Sequence, residues 1–425
     1  MTAPRRRLGR RTFLAGAGGA GLGVGVGALV GSQLAESATA APSSTAPTSD
    51  LPSLVPFWGD HQAGIATPAQ DHLHIAAFDL TSGSRDEVAA LLAAWTATAA
   101  ALSRGEPAGT IDDALPRPPA DTGEALGSGP ANLTFTFGFG PGLFEQDGVD
   151  RYGLAGRRPP ALAELPAFPG DQLDPTRSGG DLLVQACADD PMVAFHAVHT
   201  LARQARGVAV LRWSQVGFGR TSSTARAQVT PRNLMGNKDG TNNLRADDVD
   251  QLDQHVWVGD EGPEWLRGGS FVVVRRIRMH LEAWDRATLG EQEETIGRHK
   301  VSGAPLGGAD ESSPVDLDAN DPSGRPLIPA RAHIRLAAPD TNGGVRLLRR
   351  GYSFADGIDA LGQQDAGLFF ICFQRDPQQQ FVAVQQRLAD TDALNEYVVH
   401  TSSAVFACPP GVAEGQAIGA ALWST

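Results

Sequence analysis

The chain has 425 residues, 41% hydrophobic and 20% charged, with a formal net charge of −13. That length fits two domains of ordinary size, each able to bury a core. Five arginines against Glu36 give residues 1–40 a charge of +4 and leave about −17 on the remainder; so acidic a body is repelled by nucleic-acid backbones and anionic lipid, and suits a small molecule or a cationic partner better.

In GRRTFLAGAGGAGLGVGVGALVG, Arg10 and Arg11 precede Phe13, Leu14 and a Gly/Ala-rich, mildly apolar run, and Ala38-Thr39-Ala40 follows as an A-x-A cleavage site. Residues 1–40 therefore read as a twin-arginine (Tat) export signal, with the periplasm, cell envelope or extracellular space as destination. A membrane anchor is the competing reading, since the run is long enough to span, but its glycines lower its affinity for the bilayer core. The Tat route carries folded proteins, which suits a chain that acquires a prosthetic group before export. Residues 41–55 hold nothing to pack and read as a flexible tether.

HLHIAAFDL (72–80) is an apolar run bounded by turn residues, as in a buried strand. Ser84 and Glu87 form a capping box before an Ala/Leu-rich helix reaching about Leu102. NLTFTFGFG alternates as a strand does, and DLLVQACA supplies the next; PMVAFHAVHTLARQA opens on Pro191 with helical spacing, and GVAVLRWSQVGF returns as a strand. This β-α-β-β-α-β order is that of the ferredoxin-like unit. The second half repeats it less cleanly, with strand GSFVVVRRIRMHL, helix WDRATLGEQEETIG, strands RLLRRGYSF and GLFFICFQ, helix PQQQFVAVQQRL and strand YVVHTSSAVFACPP. The expected fold class is α+β: two ferredoxin-like domains with antiparallel sheets, residues 56–225 and 226–425, joined near residues 218–230. Segment 302–344, rich in Gly, Pro and Asp, is far longer than an ordinary connection and carries His333, which marks it as functional or disordered.

Cys187, Cys372 and Cys408 show no close pairing, no C-x-x-C and no C-x-x-C-H. A disulfide framework, a cysteine-rich zinc site and covalently attached haem are disfavoured, and one long-range disulfide stays open. No G-x-S-x-G elbow or H-E-x-x-H helix supports a hydrolase. In NLMGNKDGTNN (233–243), Gly236, Gly240 and the asparagines tolerate positive φ, which makes a tight loop able to aim one side chain, Asp239. On this stretch alone, a solvated connector whose Asp caps a turn is the better explanation.

Jointly, the twin-arginine leader, HQAGIATPAQDHLHIAAFDL, GNKDGT in the form G-x-x-D-G, EQEETIGRHKVSGAPLG, HIRLAAPDTNGG and LLRRGYSF resemble the dye-decolourising (DyP-type) haem peroxidases. The likeness is strongest to their exported branch, which includes the deferrochelatase/peroxidase of bacterial iron-uptake systems, and runs from about residue 55 to 410. It implies two ferredoxin-like domains, with one non-covalent haem b (iron protoporphyrin IX) in the C-terminal one. It further implies a peroxidase that reduces hydrogen peroxide and oxidises dyes, phenolics or porphyrinogens in one-electron steps. The alternatives are a deferrochelatase releasing iron from haem, or a haem- or iron-binding export protein without turnover. Expected partners are hydrogen peroxide, small-molecule electron donors, the Tat machinery, a further copy of the chain and iron-uptake components, with no nucleic acid.

Haem iron requires an axial ligand with a lone pair, usually a neutral imidazole. Spacing alone does not prefer His333 over His280 or His299, while His196 and His199 read as surface or satisfied core residues. The resemblance assigns the proximal ligand to His333 and implies a late aspartate as its partner, with Asp392 the candidate and Asp390 two residues away. It assigns Asp239 as the distal proton carrier and Arg349 as the distal cation, with Arg350 on the other sheet face. Gly236, Gly240 and Thr241 belong to the loop bordering the haem, Arg298 and His299 to its propionates, and Leu368 and Phe370 to the distal wall. Core packing would equally account for Leu368 and Phe370, and a turn for Asp392. An ordinary aspartic acid titrates near about 4, so activity is expected to persist or peak at acid pH. Bulky donors are expected to deliver electrons through surface aromatics, among which Trp257, Trp265, Trp284 and Tyr352 are not ranked by the sequence.

Overall fold

The computed structural model describes residues 54–111 and 115–424. Residues 1–40, read as an export signal, and nearly all of 41–55, read as a tether, lie outside the described residues. The first half forms β1 (His72–Leu80), α1 (Arg85–Ser103), β2 (Thr134–Phe139), β3 (Leu182–Ala188), α2 (Pro191–Gln204) and β4 (Ala209–Arg220). Its antiparallel strands lie in the order β2-β3-β1-β4, the ferredoxin-like arrangement. β2 and β3 are buried at every position, so the Thr/Phe alternation of β2 does not mark a wet face. Thr136 is covered as completely as Phe137 and accepts from Gln185 Nε2 at 3.3 Å. The capping box of α1 is only half made: Ser84 accepts from the Glu87 N–H, but the Glu87 carboxylate takes Ser82 Oγ, and that Oγ accepts from the Ser84 N–H.

The second half supplies β5 (Ser270–Met279), α3 (Leu289–Ile296), α4 (His333–Ala337), β6 (Leu348–Arg349), β7 (Tyr352–Ile358), β8 (Gln364–Gln374), α5 (Phe381–Thr391) and β9 (Val398–Cys408). The order β9-β5-β8-β7 repeats that of the first half. Two expected elements are broken. WDRATLGEQEETIG is not one helix, because Thr288 starts α3 with a complete capping box to Glu291, and Gly297, at φ +90°, ends it. RLLRRGYSF is interrupted at Arg350 and Gly351, between β6 and β7.

The two sheets join along both edges. β9 meets β2 at Phe139↔Ala407, β4 meets β7 at Phe218↔Ser353, and β5–β8 pairing closes the ring. Inside it, Leu73, Ile75, Leu183, Val272, Tyr352, Phe369, Ile371 and Phe406 form one core shared by both halves. The outer faces carry α1, α2 and α5 over a larger aromatic cluster that includes Trp95, Phe137 and Phe381. Cys187, Cys372 and Cys408 are all buried and free. Among the described residues, no helix is long and apolar enough to cross a membrane.

Candidate functional site

The loop carrying Asp239 is built as its composition requires. An isolated bridge pairs Arg232 with Lys238, and the Gly236 N–H donates to Asn233 O at 2.9 Å across a turn in which Gly236 has φ +79°. Gly240, at φ +89°, lies so close to Ser222 that a Cβ would sit 2.7 Å from its Cα, so both backbone and space demand glycine. Asp239 is thereby turned inward, with its N–H on Pro231 O at 3.0 Å. Its Oδ1 receives Arg349 Nη1 at 2.7 Å, and its Oδ2 receives Asn233 Nδ2 at 3.2 Å.

Arg349 reaches this carboxylate from β6. Strand alternation sends Leu348 and Arg350 into the ring and Arg349 out of it: Leu348 joins the shared core, and the fully buried Arg350 donates to Gln70 Oε1 at 2.6 Å. The Arg349 backbone is bracketed by Asn243, which accepts from its N–H and donates to its carbonyl, both at 2.8 Å, while Ser222 Oγ donates to the same carbonyl. Asn233, Asn243 and Ser222 therefore set the acid–guanidinium pair. The asparagine-rich composition of the loop was the only signal for the two asparagines, and Ser222 left none.

Across from this pair, His333 opens α4, and its Nδ1 lies 2.6 Å from Asp392 Oδ2. Asp392 follows the last residue of α5 in extended backbone, so its carboxylate leaves the helix, and Oδ1 caps the next turn by accepting from the Leu394 N–H at 2.9 Å. Asp390 stays on the helix and accepts from Gln386. The two segments are tied by Ala393 N–H to Arg331 O and by Arg331 Nε to Thr391 O, each at 3.0 Å. Burial disfavours the charged imidazole, but the charge and hydrogen bond of Asp392 outweigh it and raise the His333 pKa above its ordinary value; Asp239 adds to the rise and Arg349 opposes it. With Nδ1 donating to Asp392, Nε2 carries the lone pair of the neutral ring, and it has no protein partner among the described residues.

An apolar cluster binds the two groups together: Met235 from the Asp239 loop, Trp284 and Ile296, with Ile334, Leu368 and Leu394 packed against it. Trp284 Nε1 donates to Met235 O at 3.0 Å. Leu368 and Phe370 share the partly buried face of β8, yet Leu368 joins this cluster and Phe370 packs beside Phe381 in the outer core. Arg298 is buried, with Nη1 on Gly303 O at 2.7 Å, and desolvation lowers its pKa. The His299 ring is paired with Glu293 at 2.8 Å. Thr241 donates to Glu311, which also holds Lys238.

A family model described as Dyp-type peroxidase, N-terminal, matches residues 62–219, and one described as Dyp-type peroxidase, C-terminal, matches residues 230–413. The chain is 42% identical over 371 residues to the dye-decolorizing peroxidase of Thermobifida fusca, covering 84% of this chain and 82% of that protein. It is 39% identical over 366 residues to a deferrochelatase of Yersinia pseudotuberculosis, with the same coverages of 84% and 82%. The oxyferrous complex of DtpA from Streptomyces lividans superposes with a TM-score of 0.80 at 45% identity, covering 87% of this chain and 97% of that one.

Proposed function

Because this chain belongs to the Dyp-type peroxidase family, we propose that it is a haem b peroxidase in which His333 would hold the haem iron, with Asp239 as proton carrier and Arg349 as fixed cation. The observation that carries the assignment of residues is the Asp239–Arg349 pair at 2.7 Å, linked through the cluster of Met235 and Ile334 to an imidazole whose Nδ1 is committed to a buried carboxylate at 2.6 Å. Haem fits this donor set: one imidazole with a free Nε2, made more basic by Asp392 as ligating histidines usually are, beside the apolar surface of Leu368, Met235 and Ile334. Haem held there would supply the two electrons that peroxide reduction consumes, to be restored by organic donors one at a time.

The remaining work falls to the chain's own groups. Hydrogen peroxide must lose a proton from one oxygen and gain one at the other before the O–O bond parts and water leaves. Asp239 would carry that proton, held by Asn233 and Arg349 so that little reorganisation is needed. Arg349, always charged and with its backbone bracketed by Asn243, would balance the negative charge that builds on the departing oxygen. Gly236, Gly240 and Thr241 serve by shaping the loop. The polar heads of Arg298 and His299 are engaged by the Gly303 carbonyl and by Glu293.

The test is peroxide-driven dye oxidation together with the rate of the peroxide step. Asp239→Asn and Arg349→Lys should each slow that step by about 10²–10³-fold, leaving the KM for the dye unchanged; rates equal to the unaltered enzyme would favour a haem carrier. The second reading, iron release from haem, is supported by relatives named deferrochelatase, and metal-free porphyrin after incubation with haem is its signature. Export by the Tat route is supported by Arg10-Arg11 and the A-x-A site.

A further inference from the structure

Asp239 is flanked by two residues that reach the same distant carboxylate. Lys238, just before it, places Nζ against Glu311 Oε2, and Thr241, two residues after it, donates from Oγ1 to Glu311 Oε1 at 3.0 Å. Glu311 comes from the long segment between α3 and α4, so one side chain pins the loop on both sides of the acid. The segment is fixed in turn: buried Arg298 donates to the carbonyls of Gly303 at 2.7 Å and Glu311 at 3.3 Å. Gly303, at φ +79°, leaves room for the Lys238 stem, since a Cβ there would lie 2.6 Å from Lys238 Cδ. At the base of the loop, Arg232 donates to the carbonyls of Gly236, Lys300 and Val301, each at 2.7 Å.

We propose that Glu311 is a positioning residue for the peroxide reaction, clamping the distal loop through Lys238 and Thr241 so that Asp239 faces Arg349. The proposal rests on reading Asp239 as the proton carrier. A proton carrier must be held to well under an ångström, and misplacement by about 1 Å costs on the order of 10²-fold in rate. The carboxylate of Glu311 also occupies the ammonium of Lys238, which would otherwise neighbour Asp239 as a second cation competing with Arg349. Burial alone would raise the Glu311 pKa, but hydrogen bonds from Lys238, Thr230 and Thr241 outweigh it and hold the group below its ordinary range, in the charged form the clamp requires.

The experiment compares Glu311→Ala and Glu311→Gln with the unaltered enzyme in two measurements. The first is amide hydrogen exchange over residues 231–243, in haem-free and haem-loaded protein. The second is the second-order rate with hydrogen peroxide, alongside the KM of a dye. Glu311→Ala should speed exchange in the loop about tenfold or more, leave β5, β8 and β9 protected, and slow the peroxide step roughly 10–100-fold with the dye KM unchanged. Glu311→Gln, which keeps an acceptor for Thr241 but loses the ion pair, should fall between. Pairing Lys238→Glu with Glu311→Lys should recover most of the loop protection. Unchanged loop exchange in Glu311→Ala overturns the clamp, as does an unchanged peroxide rate in a background where Asp239→Asn is slow. Should Asp239→Asn itself keep its rate, the reading of Asp239 falls, and loop exchange still decides whether Glu311 holds the loop.

Discussion

Replacing Asp392 by asparagine keeps the shape of the pair with His333 and removes its charge. In the folded protein Asp392 is 3% exposed, its Oδ2 lies 2.6 Å from His333 Nδ1, and its Oδ1 caps the following turn. Asparagine retains a neutral acceptor at one position, so the loss is the difference between a charge-assisted and a neutral hydrogen bond, about 1–2 kcal/mol. At about 1.4 kcal/mol per factor of ten, haem affinity should fall roughly 5–30-fold, around the low end of the range for groups that orient a metal ligand. The pH dependence carries a sign. The folded pKa of His333 is raised, so in haem-free protein the charged pair contributes stability that is fully present below the unfolded value of about 6.5 and is lost as pH rises through the folded value. On the proposed ligation haem needs Nε2 unprotonated and would bind more tightly as pH rises through that same value. In Asp392→Asn the raising influence is gone and burial dominates, so the rise in haem affinity should move to lower pH. Titrating haem into haem-free protein by Soret absorbance between pH 5 and 9, with thermal melts of the same samples, measures both. Equal affinities and coincident pH profiles for the two proteins would refute the pairing as the source of ligand basicity.

Two further outcomes follow from other parts of the chain. Arg350→Met should lower stability by roughly 2–3 kcal/mol, because Gln70 Oε1 and Pro68 O lose a buried donor, and thermal melting should register it with no change in the absorption of bound haem. Replacing Arg10 and Arg11 by lysine should retain the protein in the cytoplasm, as cell fractionation would show; an unchanged exported fraction would overturn the leader assignment.

Most strands were legible because their apolar runs are long and bounded by turn residues, and β1 spans His72–Leu80, where the run begins and ends. The helix reading of WDRATLGEQEETIG failed on a local signal that was present: Thr288 with Glu291 three residues on is itself a helix start, and it overrode the apolar spacing around Trp284. Asp239 and Arg349 could be suspected from the loop and the strand, but their partnership could not, since it joins residues 110 positions apart. The choice between Asp390 and Asp392 turned on where α5 ends, and boundaries are what periodicity resolves least well. Glu311 left no mark in the sequence, because an acid in a Gly/Pro-rich segment looks the same whether it grips a loop or faces water. The long segment was recognisable as unusual and its purpose was not.

The closed ring of strands has a consequence for how the molecule comes apart. Its interior packs side chains from both repeats, and Ser222, Thr67 and Gln70, which hold the Arg349 carbonyl and the Arg350 guanidinium, precede the second repeat in the chain. A fragment made of the second repeat alone would keep its imidazole and its acid, yet present half a lining to solvent and leave a guanidinium without its cradle. On the proposed assignment, haem binding and turnover would therefore depend on the first repeat, which supplies part of the shared lining and the partners of Arg350.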